Sequence, residues 1–80
     1  MLNVKILGKG CANCKKLEEV ARNAAASVGI QAEFEKVTDM NEIMSYDVLG
    51  TPALVINDKV VSTGKIPAQS TIVNWMQEAQ

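Results

Sequence analysis

The spacing of apolar residues in the first third of the chain predicts a strand followed by a helix. Residues 2–7 place Val4 and Ile6 on either side of Lys5, an alternation typical of a strand. Farther on, apolar residues recur every three or four positions, which predicts an amphipathic helix that stops at Gly29. The apolar stripe of that helix consists of Leu17, Val20, Ala21, Ala24, Ala25 and Val28.

The next third predicts a second strand and a short helix. Residues 31–37 alternate, which predicts a strand with Ala32, Phe34 and Lys36 on one side. Asp39 and Glu42 are spaced as in a capping box, which predicts that a helix opens there. We expect the buried side of this helix to consist of Met40, Ile43 and Met44.

The remaining residues predict a hairpin and a terminal helix. Residues 53–56 are continuously apolar, as in a strand covered on both faces, and 60–63 form the returning strand after a tight turn at Asn57-Asp58. Pro67 suits the first turn of a helix. The inner face of that helix is predicted to hold Ile72, Val73, Trp75, Met76 and Ala79. The predicted order is βαβαββα in a single domain, residues 1–80.

Composition and charge narrow the classes of function. The chain has 80 residues, 48% of them hydrophobic, and a net charge of −1, so no strong field favours nucleic acid or an anionic membrane. No apolar run approaches the roughly 20 residues that span a bilayer. The first residues run directly into a strand pattern without the features of a signal peptide. We therefore expect a cytoplasmic protein without nucleic-acid or membrane partners.

The two cysteines, Cys11 and Cys14, lie where the first strand passes into the first helix. A disulfide between them closes too small a loop to act as an effective structural crosslink. At a helix N-terminus, exposed N–H groups and the helix dipole favour the thiolate, which is the nucleophile. We therefore predict that Cys11 is the nucleophile and that Cys14, one turn further on, resolves a mixed disulfide. Two inert buried cysteines are the alternative.

The sequence has two further features of interest, one around this pair and one about 40 residues later. Lys9, Lys15 and Lys16 cluster around the cysteines, either as electrostatic support for Cys11 or as an ordinary solvated face. Thr51-Pro52 directly precedes the buried strand, a position that suits proline because its missing N–H matters least there.

With these residues placed, the chain resembles the thioredoxin/glutaredoxin superfamily, and most closely its small redox-active disulfide proteins. Residues 10–15, 50–56 and 60–64 carry the likeness, which extends over nearly the whole chain. The resemblance implies an α/β thioredoxin fold, with a four-stranded mixed central sheet and three flanking helices. It also implies a cis bond at Pro52, and that Thr51 and Pro52 offer backbone to a substrate and keep metals off the cysteines.

Three positions depart from the family pattern. The motif reads CANC, without a proline between the cysteines. Thioredoxins carry a buried carboxylate on the strand before the motif, whereas Lys5 stands six residues ahead of Cys11. Glutaredoxins follow their last strand with paired glycines that help to hold glutathione, and here Gly64 stands alone.

The resemblance implies a thiol–disulfide oxidoreductase that needs no cofactor and acts as a monomer. Its partners are a disulfide-containing protein substrate and an upstream reductase. The alternative is a soft-metal carrier that binds Cu(I) through the same two thiolates, although such domains end in a strand. Zinc or an iron–sulfur cluster would need a dimer, because the chain has two cysteines and no histidine. An interaction domain with a vestigial cysteine pair is a third interpretation.

Overall fold

Seven elements form in the predicted order. The computed structural model describes residues 1–9, 12–48 and 50–80. Strands and helices alternate as βαβαββα, which confirms the sequence prediction. Their bounds are β1 (Leu2–Leu7), α1 (Ala12–Ser27), β2 (Ala32–Val37), α2 (Met40–Ser45), β3 (Ala53–Ile56), β4 (Lys59–Thr63) and α3 (Gln69–Ala79).

The strands form one mixed four-stranded sheet in the order β2-β1-β3-β4. β1 runs parallel to β2 and antiparallel to β3, and β3 pairs antiparallel with β4. In this register Ile6 lies beside Lys36 and Lys5 beside Glu35. Side chains alternate between the two faces of a sheet, so these two pairs project to opposite sides.

Each face of the sheet has its own core. On one face α1 and α3 pack together over a cluster of fully or nearly fully buried side chains, while α2 covers a smaller cluster on the other face. All four residues of β3 are buried, as the continuous apolar run predicted. The larger cluster contains Leu2, Val4, Ile6, Leu17, Ala21, Ala24, Ala25, Leu54, Ile56, Ile72 and Met76, and the smaller one Leu7, Val37, Ile43, Ala53 and Val55.

The buried side predicted for α2 is wrong at two of its three positions. Ile43 is buried, but Met40 is 47% and Met44 66% exposed. A helix of six residues presents less than two turns to the sheet, and of the three predicted side chains Ile43 alone enters the smaller cluster. The helix start is where the sequence placed it, since Asp39 accepts a hydrogen bond from the backbone N–H of Asn41 at 2.9 Å.

Turns at two of the predicted positions have the expected backbone. Gly29 has φ +69° just after α1, and the N–H of Ile30 reaches back to the carbonyl of Ala25. Asn57 and Asp58 have φ 51° and 66°, as a two-residue hairpin turn requires.

Two details at helix ends differ from the prediction. Helix α3 begins at Gln69 with Ala68 as its N-cap, so Pro67 precedes the first turn instead of occupying it. Val28 is 40% exposed, because α1 ends at Ser27 and the stripe no longer faces the core there.

Within residues 1–9, 12–48 and 50–80, no helix combines the length and the apolar character needed to cross a membrane.

Candidate active site

Cys14 is packed against Gly8 at the start of α1. This cysteine lies in the first turn of the helix, and its exposed fraction is 5%. A Cβ atom on Gly8 would collide with Cys14 Sγ. Gly8 is itself fixed just beyond β1, where its N–H donates to the carbonyl of Val37 at 3.0 Å. The absence of a side chain at residue 8 therefore makes room for the cysteine sulfur.

The segment before β3 approaches the same glycine. The position that a Cβ of Gly8 would occupy lies 3.8 Å from Thr51 Cβ. The peptide bond between Thr51 and Pro52 is cis. Pro52 is buried, with its carbonyl accepting from the N–H of Gly64 at 2.8 Å, while Thr51 is exposed. Cys14 and Thr51, about 40 residues apart in sequence, thus meet around Gly8.

Cys11, the predicted nucleophile, and Gly10 lie outside the described residues. The role of Cys11 therefore stays a prediction, as does a bond between the two cysteines. In the chain Cys11 directly precedes Ala12, the first residue of α1.

The lysines near the motif differ in their relation to Cys14. Lys9, Lys15 and Lys16 are all exposed. Lys15 contributes to the wall of a small cavity beside Cys14, whereas Lys9 and Lys16 do not. Electrostatic support of Cys11 by Lys9 and Lys15 stays a prediction.

That cavity is the feature of the site that sequence reasoning missed. It has a volume of about 40 Å³, enough for a very small number of water molecules. Besides Cys14, its walls are formed by Ile6, Gly8, Lys15, Glu18, Lys36 and Thr38. Two of these, Glu18 and Lys36, come from different elements and form an ion pair with Nζ and Oε1 3.2 Å apart.

Glu18 stands at the centre of a small network of charges. Its side chain is only 16% exposed, and it also pairs with Arg22, whose Nη2 lies 2.9 Å from Oε2. Burial raises the pKa of the Glu18 carboxyl, but the hydrogen bonds from Lys36 and Arg22 outweigh it and leave that pKa below its ordinary value. Glu18 is therefore ionised near neutral pH. Its position four residues after Cys14, on the same side of a helix, was the available sequence signal.

Lys5, which occupies the position of the family's buried carboxylate, belongs to a different network. Its Nζ donates to Tyr46 Oη at 2.9 Å and lies 3.7 Å from a carboxylate oxygen of Asp58. The hydrogen bond to Tyr46 is the main cause that raises the pKa of Lys5 above its ordinary value. Lys5 does not line the cavity beside Cys14.

In the described part of the chain, no three or more His, Cys, Asp or Glu side chains are grouped so as to hold a metal ion. The soft-metal alternative also required a terminal strand, and residues 69–79 form helix α3 instead.

The mixed sheet, its three helices and the meeting of Cys14 with the segment before β3 define a thioredoxin-fold domain. The sequence model of the family described as "Thioredoxin domain" matches residues 2–77, and the chain belongs to that family.

Two archaeal relatives named thioredoxin support the assignment. The protein from Methanothermobacter thermautotrophicus is 36% identical over 72 residues, which cover 90% of this chain and 94% of the relative. The protein from Methanocaldococcus jannaschii is 40% identical over 72 residues, covering 90% of this chain and 83% of the relative. These relatives support a thiol–disulfide oxidoreductase function in general.

Solved structures show the same fold at low sequence identity. Thioredoxin-2 of a malaria parasite superposes with a TM-score of 0.69 at 15% identity, covering 98% of this chain and 82% of the other. Deadhead, a germline-specific thioredoxin of Drosophila melanogaster, gives a TM-score of 0.66 at 19% identity, covering 99% and 81%.

Proposed function

We propose that this protein is a dithiol–disulfide oxidoreductase in which Cys11 and Cys14 form the redox couple and disulfide-containing proteins are the substrates. The observation that carries the proposal is the meeting of Cys14 and Thr51 around Gly8. It supports a substrate that docks at the exposed Thr51, close to the second cysteine of the motif.

The chemistry follows from the two thiols. The Cys11 thiolate attacks one sulfur of the substrate disulfide, forms a mixed disulfide and expels the other substrate sulfur as a thiolate. Cys14 then loses its proton and attacks Cys11 Sγ. This step makes the Cys11–Cys14 disulfide, breaks the mixed disulfide and releases the second substrate thiolate. The substrate disulfide gains two electrons, the protein dithiol loses two, and a reductase returns them.

The assignment of the two roles rests on the difference in environment. Cys14 is buried, so it is shielded from bulk disulfides but suited to an intramolecular step. Cys11 precedes the first residue of α1, where the helix dipole favours a thiolate. A thiolate that must be regenerated after each cycle suits a reducing compartment, so we place the monomeric protein and its reductase in the cytoplasm.

The two sulfurs are distinguished by counting released thiolates. Fully reduced protein is mixed with dithiobis-nitrobenzoate, an aromatic disulfide whose reduction releases a coloured thiolate. The native protein should release two per chain in two kinetic phases. Cys14→Ser should release one and retain the aromatic group as a stable mixed disulfide visible by mass. Cys11→Ser should lose the fast phase.

Turnover is then measured with a disulfide-containing protein substrate and dithiothreitol as the reductant. Both cysteine variants should lose at least 10-fold in rate, while Asn13→Ser, a change between the two cysteines, should retain activity. Full activity of Cys14→Ser toward the protein disulfide would overturn the resolving role. Release of a single coloured thiolate by the native protein would overturn the redox couple itself.

A further inference from the structure

The resolving step requires a buried thiol to lose its proton, which burial opposes. Cys14 is 5% exposed, and a thiolate in apolar surroundings lacks the solvation that water provides. A nearby positive charge reduces this cost. β1 carries no carboxylate or other base facing Cys14, so the group that favours its thiolate must come from another element.

Lys5, the charged residue of β1, cannot stabilise the Cys14 thiolate, because side chains alternate between the two faces of the sheet. Lys5 lies in register with Glu35, on the face opposite to Ile6 and Lys36. Its amino group is held by Tyr46 and Asp58. Ile6 packs in the core under α1, so Lys36, its neighbour on β2, is on the side of the sheet that faces Cys14.

Lys36 lines the cavity beside Cys14 with part of a side chain that is 58% exposed, and an ion pair restrains it. It lines the cavity together with Glu18 and Thr38, and its Nζ is 3.2 Å from Glu18 Oε1. Glu18 is also bound by Arg22, through Nε at 3.0 Å and Nη2 at 2.9 Å. The three side chains together carry one net positive charge.

The other charged group on the cavity wall has the same sign. Lys15 follows Cys14 on α1 and contributes to the wall; like Lys36 it is exposed, but among the described residues no ion pair holds it. Thr38 is uncharged, and Ile6 and Gly8 complete the wall from β1. The charged residues on the cavity wall are thus Lys15, Lys36 and Glu18, and the Glu18 carboxylate is shared with Arg22.

We propose that Lys36, held against the cavity by Glu18, is the positioning residue that stabilises the Cys14 thiolate during the resolving step. It takes no part in the sulfur attacks themselves. It acts across the cavity whose wall it shares with Cys14, from a side chain that is 58% exposed, so solvent screens part of its effect. This inference rests on the proposed function, because it concerns the second of the two sulfur reactions.

The test measures the slow phase of thiolate release from dithiobis-nitrobenzoate across the neutral to alkaline range. Lys36→Met should move the midpoint of this pH profile by about 0.5–1 pH unit toward alkaline pH, which slows the phase about 3- to 10-fold near pH 7. Lys36→Arg retains the charge and should restore the native profile. Lys59→Met is the matched control, because Lys59 is an exposed strand lysine that does not line the cavity.

Glu18→Gln distinguishes electrostatic stabilisation of the Cys14 thiolate from a structural role of Lys36. The amide oxygen still accepts a hydrogen bond from Lys36, but the negative charge is gone, so the midpoint should move toward acid pH. Opposite shifts in the two variants are an electrostatic signature that a purely structural role does not produce. An unchanged profile in Lys36→Met, or an alkaline shift in Glu18→Gln, would overturn the assignment.

The two levels of proposal fail in different ways. Absence of a slow phase in the native protein contradicts the proposed function. A native slow phase whose pH profile is unchanged in Lys36→Met contradicts only the role of Lys36.

Discussion

Adding one methyl group at residue 8 should destabilise the folded state, although this residue lies just beyond β1 and its backbone conformation does not require glycine. Gly8 has no positive φ, so alanine fits its backbone. The new Cβ would, however, collide with Cys14 Sγ. Either the sulfur rotates away from its present position or the start of α1 moves from the sheet.

The magnitude follows from the cost of overpacking a filled site. Such insertions destabilise proteins by about 1–3 kcal/mol. Replacing glycine by alanine at a compatible backbone stabilises by about 0.4–1 kcal/mol through the unfolded chain, which offsets part of that cost. We expect Gly8→Ala to lower the free energy of unfolding by about 1–2 kcal/mol. In a domain of this size that lowers Tm by about 4–16 °C.

Removing the sulfur should reverse the effect. In the Cys14→Ala background the nearest remaining atom of residue 14 is Cβ, which lies 3.4 Å from the added methyl, an ordinary contact. There Gly8→Ala should be neutral or slightly stabilising. The coupling free energy in this double-mutant cycle is therefore expected to be about 1–3 kcal/mol.

The assay is urea unfolding of the four reduced proteins, with Gly50→Ala as a matched control. Among the described residues, an added Cβ at Gly50 meets only Gly64 Cα, at 3.7 Å, so this variant should retain or slightly gain stability. Additive effects of Gly8→Ala and Cys14→Ala would refute the close packing of the cysteine on residue 8.

Two other consequences can be checked with single substitutions. Met76 is fully buried, so Met76→Ala should lower the free energy of unfolding, measured in urea, by about 2–5 kcal/mol. Met44 is 66% exposed, so Met44→Ala should lower it by less than about 0.5 kcal/mol. Equal losses in the two variants would contradict the packing of α3. Because the pKa of Lys5 is raised in the folded state, its hydrogen bond to Tyr46 contributes stability below pH 10.5 that is lost as pH rises through the higher folded value. Tyr46→Phe should therefore be less stable than the native protein near neutral pH and lose less stability at alkaline pH, and parallel alkaline profiles would refute this linkage.

Local patterns identified the elements because each carries its own signal. The alternation around Lys5 and the continuous apolar run at 53–56 predicted two strands, and Asn57-Asp58 predicted their tight turn. The predicted burial of Met40 and Met44 was wrong because tertiary packing decides it. A helical period shows which residues share a side, but the space that the sheet leaves under α2 decides how many of them are covered.

The chemistry of the site was predictable only in part. The CxxC spacing and the proline before a buried strand indicated the class of protein, since both are local features. The pairing of Glu18 with Lys36 depends on the register of β2 against β1 and on the depth at which α1 packs. Neither quantity is encoded in a short window of sequence.

Gly8 connects these observations. Val4, Ile6 and Gly8 lie on alternate positions, and the first two side chains fill the core under α1. At the third position the missing side chain admits Cys14 Sγ in its place. Because the helix can approach the sheet this closely, the residue four positions further along α1 comes within reach of β2, and Glu18 meets Lys36 beside the sulfur. The close contact that should make Gly8→Ala destabilising is therefore also what places a charged pair next to a buried thiol.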